Sequence, residues 1–180
     1  SPDRLTTTIG ATRTGYSLRK YMVEGYSGNP ASVGNDLPII RYAEILLSYL
    51  EAKLEAGHSI DQALLDATIN IVRGRASVKM PPVTETNPDA LRPILRNERR
   101  VELACEGLRL WDLLRWDLAG TVLQGRFFGA VFPTAKTLRK DGNYNDPHKR
   151  WFVTKKAFRV GKDETWPIPL SEVNINPALE

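Results

Sequence analysis

The sequence predicts a mainly all-α protein, a tetratricopeptide-like helical hairpin packed on a long helix, with long irregular loops and room for short strands. Three observations lead there. Two amphipathic stretches separated by a few residues occupy positions 38 to 74. A long stretch from 87 to 116 follows, in which charges and apolar residues interleave at helical spacing. Flanking them are segments rich in Gly, Asn, Ser, Thr and Lys that carry no helical period.

Residues 1 to 37 read as an ordered loop, with one short strand around Tyr16 to Val23 where apolar and polar residues alternate. The first helix is expected from Pro38 to Ala56. Proline suits a first turn, and Ile40, Ala43, Leu47, Leu50 and Leu54 mark one apolar face. Gly57 then ends it as a left-handed cap. The second helix starts at Ser59, whose hydroxyl and the Gln62 side chain form a capping box, and carries Ile60, Leu64, Ala67 and Ile71 as its stripe toward Gly74. So short a connection makes the pair an antiparallel hairpin. Pro81 and Pro82 break the chain. The third helix opens on Asn87 as cap with Pro88 at its first position, and runs to about Trp116, weakened at Gly107 by roughly 1 kcal/mol relative to Ala.

From 120 to 165 the helical period disappears. Phe127 and Phe128, and Trp151 to Val153, read as short strands or apolar plugs, and Asn143 to Pro147 as a turn. So long an irregular segment in a compact domain points to a binding or docking surface. The prolines after Trp166 keep the chain extended before a final short turn. A single domain over 1–180 is expected, comprising a lead-in (1–37), a helical core (38–118) and a loop-rich segment (119–180).

With 180 residues, 42% of them apolar, 26% charged, and a net charge of +4, the composition is that of an ordinary globular protein. Residues 126 to 162 concentrate ten Lys and Arg against Asp141 and Asp146, a pattern that is more often a solvated surface than a nucleic-acid site. Cys105 is the only cysteine, so no disulfide framework exists, and it reads as a small buried apolar residue rather than a reactive thiol. No apolar run reaches the roughly 20 residues of a membrane span. The N-terminal residues lack the hydrophobic core of a signal peptide, which leaves a cytoplasmic chain and a mature or excised piece of something longer equally open.

Residues 96 to 116 hold nine formal charges among Val101, Leu103, Leu110 and Leu113. Buried ions persist only when paired, so this stretch reads as an internal ion-pair network. Glu98, Glu102 and Glu106 repeat at i, i+4 and i+8, a spacing open to acid–base or divalent-ion chemistry. Arg99, Arg100, Arg109 and Arg115, with Arg96, Arg73 and Arg75, are numerous enough to neutralise them, and the structural reading is preferred. No phosphate loop, metal-ligand cluster or nucleophile motif stands out, so no catalytic residue, metal or cofactor is assigned.

The motifs Pro38-Ile-Ile-Arg-Tyr-Ala-Glu-Ile-Leu-Leu, Ile69-Asn-Ile-Val-Arg-Gly-Arg-Ala and Arg99-Arg-Val-Glu-Leu-Ala occur in order over about 140 residues. They continue through Glu106-Gly, Arg109, Asp112-Leu, Arg115-Trp116, Trp166-Pro-Ile-Pro and Asn174-Ile-Asn-Pro. Together they resemble the C-terminal region of the SusD/RagB family, the nutrient-binding outer-membrane lipoproteins of Gram-negative bacteria. Asn97, Cys105 and Trp111 depart from the usual pattern. The resemblance implies a helical scaffold with ligand-binding loops, and a non-catalytic surface protein that hands an oligosaccharide to a SusC-like TonB-dependent transporter. It further implies that this chain is the C-terminal part of a longer protein, lipid-anchored through an N-terminal portion that also supplies much of the glycan site. Trp111, Trp116 and Trp166 belong to the signature motifs and are expected in the core. Since pyranose C–H faces pack on aromatic rings, Tyr144, Trp151 and Phe152, flanked by Asn143, Asn145 and Lys149, become the candidate ligand residues; the competing reading is that these rings plug the helices. The rival function is a protein-docking module that only holds the transporter.

Overall fold

In the computed structural model, the described residues are 12, 14–16, 18–21, 23, 25–28, 34, 38–131, 145–165 and 168–176. Contacts divide the chain into two compact units, Lys20–Arg109 and the combination of Ser1–Arg19 with Leu110–Glu180.

The first unit is built on α1 (Tyr42–Glu55), α2 (Gln62–Ala67), α3 (Ile69–Arg73) and α4 (Pro88–Glu102). Helix α1 packs against each of the other three. Its end matches expectation: Gly57 is left-handed at φ +73, and the N–H groups of Gly57 and His58 donate to the carbonyls of Leu54 and Lys53, the two bonds of a Schellman motif. Its start does not. The helix begins at Tyr42, behind an extended Arg41, so Pro38 lies outside it and Ile40 is exposed. Here the Arg41 side chain is held by the carboxylates of Glu102, at the end of α4, and Glu106, in the turn after it.

The second predicted helix is two short ones. Thr68 adopts φ −128, ψ −95, and its hydroxyl donates to the Leu64 carbonyl at 2.6 Å. This break moves the buried stripe to Leu65, Ile69 and Val72, leaving Ala67 and Ile71 exposed and Leu64 at the core margin. Both stripes have helical spacing. What selects between them is Asn70, whose side chain donates to the Val83 carbonyl and accepts from the Val83 N–H, pinning the incoming chain to that face. The cap is Asp61, which accepts from the Leu64 N–H at 2.8 Å, rather than Ser59; Gln62 instead binds Asp66 and the Val83 carbonyl.

Helix α4 starts as predicted, with Asn87 accepting from the N–H groups of Asp89 and Ala90 and Pro88 in the first turn. It does not reach Trp116. It stops at Glu102, and the chain reverses through Cys105 (φ +63) and Gly107 (φ +81) before α5 (Leu108–Arg115). Two left-handed residues cannot continue a right-handed helix, so Gly107 marks a turn rather than a weak spot. Cys105, expected buried, is exposed on that turn. The core of this unit gathers Ala43, Leu46, Leu47, Leu50 and Leu54 of α1 with Ile60, Leu65, Ile69, Val72, Val83, Leu91 and Leu95. Each fully excluded leucine contributes roughly 1.5–3 kcal/mol.

The second unit holds most of α5, then α6 (Ala119–Val122), β1 (Gly125–Val131), β2 (Arg150–Lys156) and α7 (Leu170–Ile175). The two strands form an antiparallel pair from Gly125↔Lys156 to Val131↔Arg150, interrupted by bulges. These are the strands expected at Phe127–Phe128 and Trp151–Val153. The Ala130 N–H donates to the Thr14 carbonyl at 2.8 Å, and a Cβ at Gly129 would lie 2.1 Å from that oxygen, so only glycine lets residue 14 lie against β1. No strand occurs among the described residues around Tyr16 to Val23. The C-terminal turn is longer than expected, a short helix after Pro169.

The corrected cap can be checked directly. Asp61→Ala lowers unfolding stability by about 1 kcal/mol in denaturant titration, whereas Ser59→Ala changes it by less than about 0.5 kcal/mol. The reverse order contradicts the assignment.

Candidate functional site

Two groups of residues stand out, one of charges in the first unit and one of aromatics and polar residues in the second. The charges are arranged around the C-terminal end of α4. Glu98 and Glu102 are one helical turn apart on α4, and the turn after α4 brings Glu106 within reach of the same Arg41 guanidinium that binds Glu102.

Arg41 is the central donor. Its Nη1 reaches Glu102 at 2.8 Å, its Nη2 reaches Glu106 at 2.7 Å and the Glu102 carbonyl at 2.9 Å, and its Nε reaches Glu106 at 3.0 Å. Lys20 donates to Glu106 and to the carbonyls of Glu102 and Ala104, satisfying oxygens that the helix end leaves without partners. Arg75 binds the other oxygen of Glu102 at 2.5 Å, and Arg73 binds Glu98 at 2.5 Å while also donating to the Pro81 carbonyl. Deeper still, Arg99 (4% exposed) meets Glu51 (6% exposed) at 3.5 Å and donates to the Ser48 hydroxyl at 2.9 Å.

Burial alone would push the Glu106 carboxyl up. Hydrogen bonds from Arg41 and Lys20, together with the Tyr21 hydroxyl beside it, outweigh burial and hold it below the usual carboxylate range. The Tyr21 hydroxyl is raised, first by burial and then by that same carboxylate. Bonding to Glu106 raises Arg41, against the opposing effect of its own burial. Glu106 is thus held as an anion, the opposite of a general acid kept protonated near neutrality.

The network was foreseen from sequence, but its membership was not. Glu98, Arg99, Glu102 and Glu106 belong to it. Arg100 is exposed and makes no ion pair among the described residues. Arg115 binds Asp112 at 2.8 Å and lies 4.8 Å from the Trp116 ring. Arg109 is half-buried in the first turn of α5. Lys20, Arg41 and Glu51 were missed, since no local spacing links residue 20 to residues 102–106. Arg41, the charged residue between an apolar pair and a helix, carried the one available signal.

In the second unit, Phe152 is buried and meets Phe128 edge-on at 6.2 Å and 68°. Strand alternation turns Trp151, half-buried, toward the opposite face of β2. Asn145 and Lys149 are exposed at the start of β2, on a turn closed by the Lys149 N–H to the Asp146 carbonyl at 3.0 Å. Asp146 anchors this turn by accepting from Arg150 at Nε and Nη2, and the Arg150 guanidinium lies 4.5 Å from the Phe128 ring. That pairing holds the Asp146 carboxyl down at about 2. Asn143 and Tyr144 lie outside the described residues. Trp111, expected in the core, is 55% exposed; Trp116 is half-buried, and Trp166 lies outside the described residues. Within the basic segment, Arg150 and Arg159 are each paired with an aspartate, Asp146 and Asp163. Among the described residues no cluster of three His, Cys, Asp or Glu is placed to hold a metal ion, and no helix is long and apolar enough to cross a membrane.

Two predictions follow from the charge geometry. Arg99→Met removes the guanidinium that meets the buried Glu51 and costs about 3–5 kcal/mol of unfolding stability, against less than about 0.5 kcal/mol for Arg100→Met; equal effects would contradict the assigned membership. Because the folded pKa of Glu106 lies below its ordinary value of 4.5, its contribution is complete above that pH and is lost as pH falls through the folded pKa. The stability difference between wild type and Glu106→Gln is therefore largest near neutral pH and shrinks as the solution is acidified below 4.5, as urea titrations across that range would show.

The chain matches the SusD family model over residues 2–180. Two crystal structures from Bacteroides fragilis are similar. A SusD-like carbohydrate binding protein is 51% identical, with a TM-score of 0.86 over 94% of this chain and 34% of its own. A SusD-like protein is 32% identical, with a TM-score of 0.53 over 77% of this chain and 24% of its own. A curated SusD-like protein of Formosa agariphila is 32% identical over 99 residues, which are 53% of this chain and 20% of that protein. The chain thus spans about a third or less of the length of each relative. With nearly every residue inside the matched region and a mostly helical fold shared with the first of these structures, the chain belongs to the SusD family.

Proposed function

We propose that this chain is part of a non-catalytic glycan-binding protein, lipid-anchored at the outer-membrane surface, that passes an oligosaccharide to a SusC-like TonB-dependent transporter. The observation that carries the reading is the 51% identity, across 94% of the chain, to a protein described as carbohydrate binding. The charge network supports the non-catalytic part. Glu98, Glu102 and Glu106 are each bound by cationic side chains, and Glu106 is held ionised, which does not suit it to donate a proton near neutrality.

Within this chain the ligand surface is assigned to Trp151 with Asn145 and Lys149, extended by Asn143 and Tyr144. A ring fixed in a strand loses little conformational freedom when a pyranose packs on it, and an exposed amide and ammonium on the turn that leads into that strand can meet sugar hydroxyls. Phe152 supports the site from behind by packing on Phe128.

Isothermal titration calorimetry of the full-length protein with a panel of oligosaccharides tests this. Trp151→Ala weakens the best ligand at least about tenfold, roughly 1.4 kcal/mol, Trp151→Phe retains most of the affinity, and the oligosaccharide is recovered uncut. Unchanged affinity in Trp151→Ala removes the site from this chain. Absence of any glycan binding, with the transporter still captured, favours a module that only docks.

A further inference from the structure

A bulge in the strand pair decides which side chains share a face. Cross-strand partners lie on the same side of a sheet, and successive residues on opposite sides. Phe128 pairs with Phe152 and Phe127 with Thr154, so Val153 is an extra residue between the two pairs. Alternation restarts after it. Thr154 and Lys156 therefore join Trp151 and Phe127 on one face, where an unbroken strand would have put Val153 and Lys155. The contacts agree: the Lys156 ammonium lies 5.4 Å from the centre of the Phe127 ring, while Arg150 lies over Phe128 on the other side. The Trp151 face thus presents two half-buried rings, a half-buried hydroxyl and, at its end, an exposed ammonium.

Among the described residues, the charge left over around this face is positive. Asp146 is taken by Arg150 and Asp163 by Arg159, while Glu164 accepts from the Gly161 N–H. None of these carboxylates pairs with Lys149, on the turn that leads into β2, or with Lys156. A charge-assisted bond to a carboxylate or sulfate is stronger than an exposed cation–π contact, so the Lys156 ammonium turns from the Phe127 ring to an arriving anion at small cost. Roughly 15 Å of strand separate Trp151 from Lys156. A ligand that uses both is an oligosaccharide whose charged ring is not the one stacked on Trp151.

We propose that the oligosaccharide bound at Trp151 is anionic, with a carboxylate or sulfate ester taken by the Lys156 ammonium on the face that Lys156 shares with Trp151, Phe127 and Thr154. The inference rests on the glycan-binding reading above and adds the substrate class. Lys156 is then the residue that sets specificity for charge, and Trp151 the platform that serves charged and neutral sugars alike. Lys155, its neighbour in sequence, points to the other face beside Arg126 and takes no part.

The test is a glycan array probed with the full-length protein, followed by calorimetry of the best ligand. The array carries uronate-bearing and sulfated oligosaccharides, each beside its methyl-esterified or desulfated counterpart, together with neutral ones. The best ligand is acidic and binds at least about tenfold tighter than its neutralised counterpart, and the arm it comes from tells carboxylate from sulfate. Lys156→Gln reduces that preference at least about fivefold, whereas Lys155→Gln changes it less than about twofold. A neutral best ligand overturns the proposal while leaving glycan binding intact. Equal effects of the two lysine variants also overturn it, since the preference would then come from diffuse charge rather than from the Trp151 face. Failure to bind any oligosaccharide overturns the glycan-binding reading itself, and this inference with it.

Discussion

The fold of the first unit depends on one guanidinium, that of Arg41, held between Glu102 and Glu106. It joins the residue before α1 to the last residue of α4 and to the turn that follows. Lys20 closes the same turn from the other side by taking up carbonyls that the end of α4 leaves open, and Arg75 brings in the exit of α3. Three helices are therefore referenced to two carboxylates. The chain reversal at Cys105 and Gly107, with both residues left-handed, is what places Glu106 where Arg41 can reach it.

Such a cluster adds less net stability than its number of contacts suggests, because each ion gives up hydration to enter it. Its physical consequence is geometric. Removing one member leaves another charge without compensation, so the helices cannot slide or rotate against each other without breaking several charge-assisted bonds together. In the strand pair, Asp146 and Arg150 likewise neutralise each other on the turn that leads into β2.

The helices were legible in the sequence wherever a local rule decides. Gly57, Asn87 and Pro88 act as their residue types dictate, and the two strands follow from their aromatic runs. Local rules failed where two patterns were equally good or where the deciding partner was remote. Leu65, Ile69 and Val72 compete with Leu64, Ala67 and Ile71 for the same core, and the choice is made by Asn70 gripping Val83. Cys105 broke the third helix without being a helix-breaking residue type. The charge network was visible as a demand for pairing, but Lys20 and Arg41 supply it from 86 and 65 residues before Glu106, a separation no periodicity reports. In β2, alternation places Trp151 and Phe152 on opposite faces, a distinction that composition alone does not make.

A thermodynamic double-mutant cycle on Arg41 and Glu106 tests the central claim most directly. Urea unfolding of Arg41→Met, Glu106→Gln and the double variant should give a coupling of at least about 1.5 kcal/mol, the double variant being much less destabilised than the two single changes together. Additivity within about 0.5 kcal/mol would show that the two charges act independently, and that the clamp does not hold the fold together.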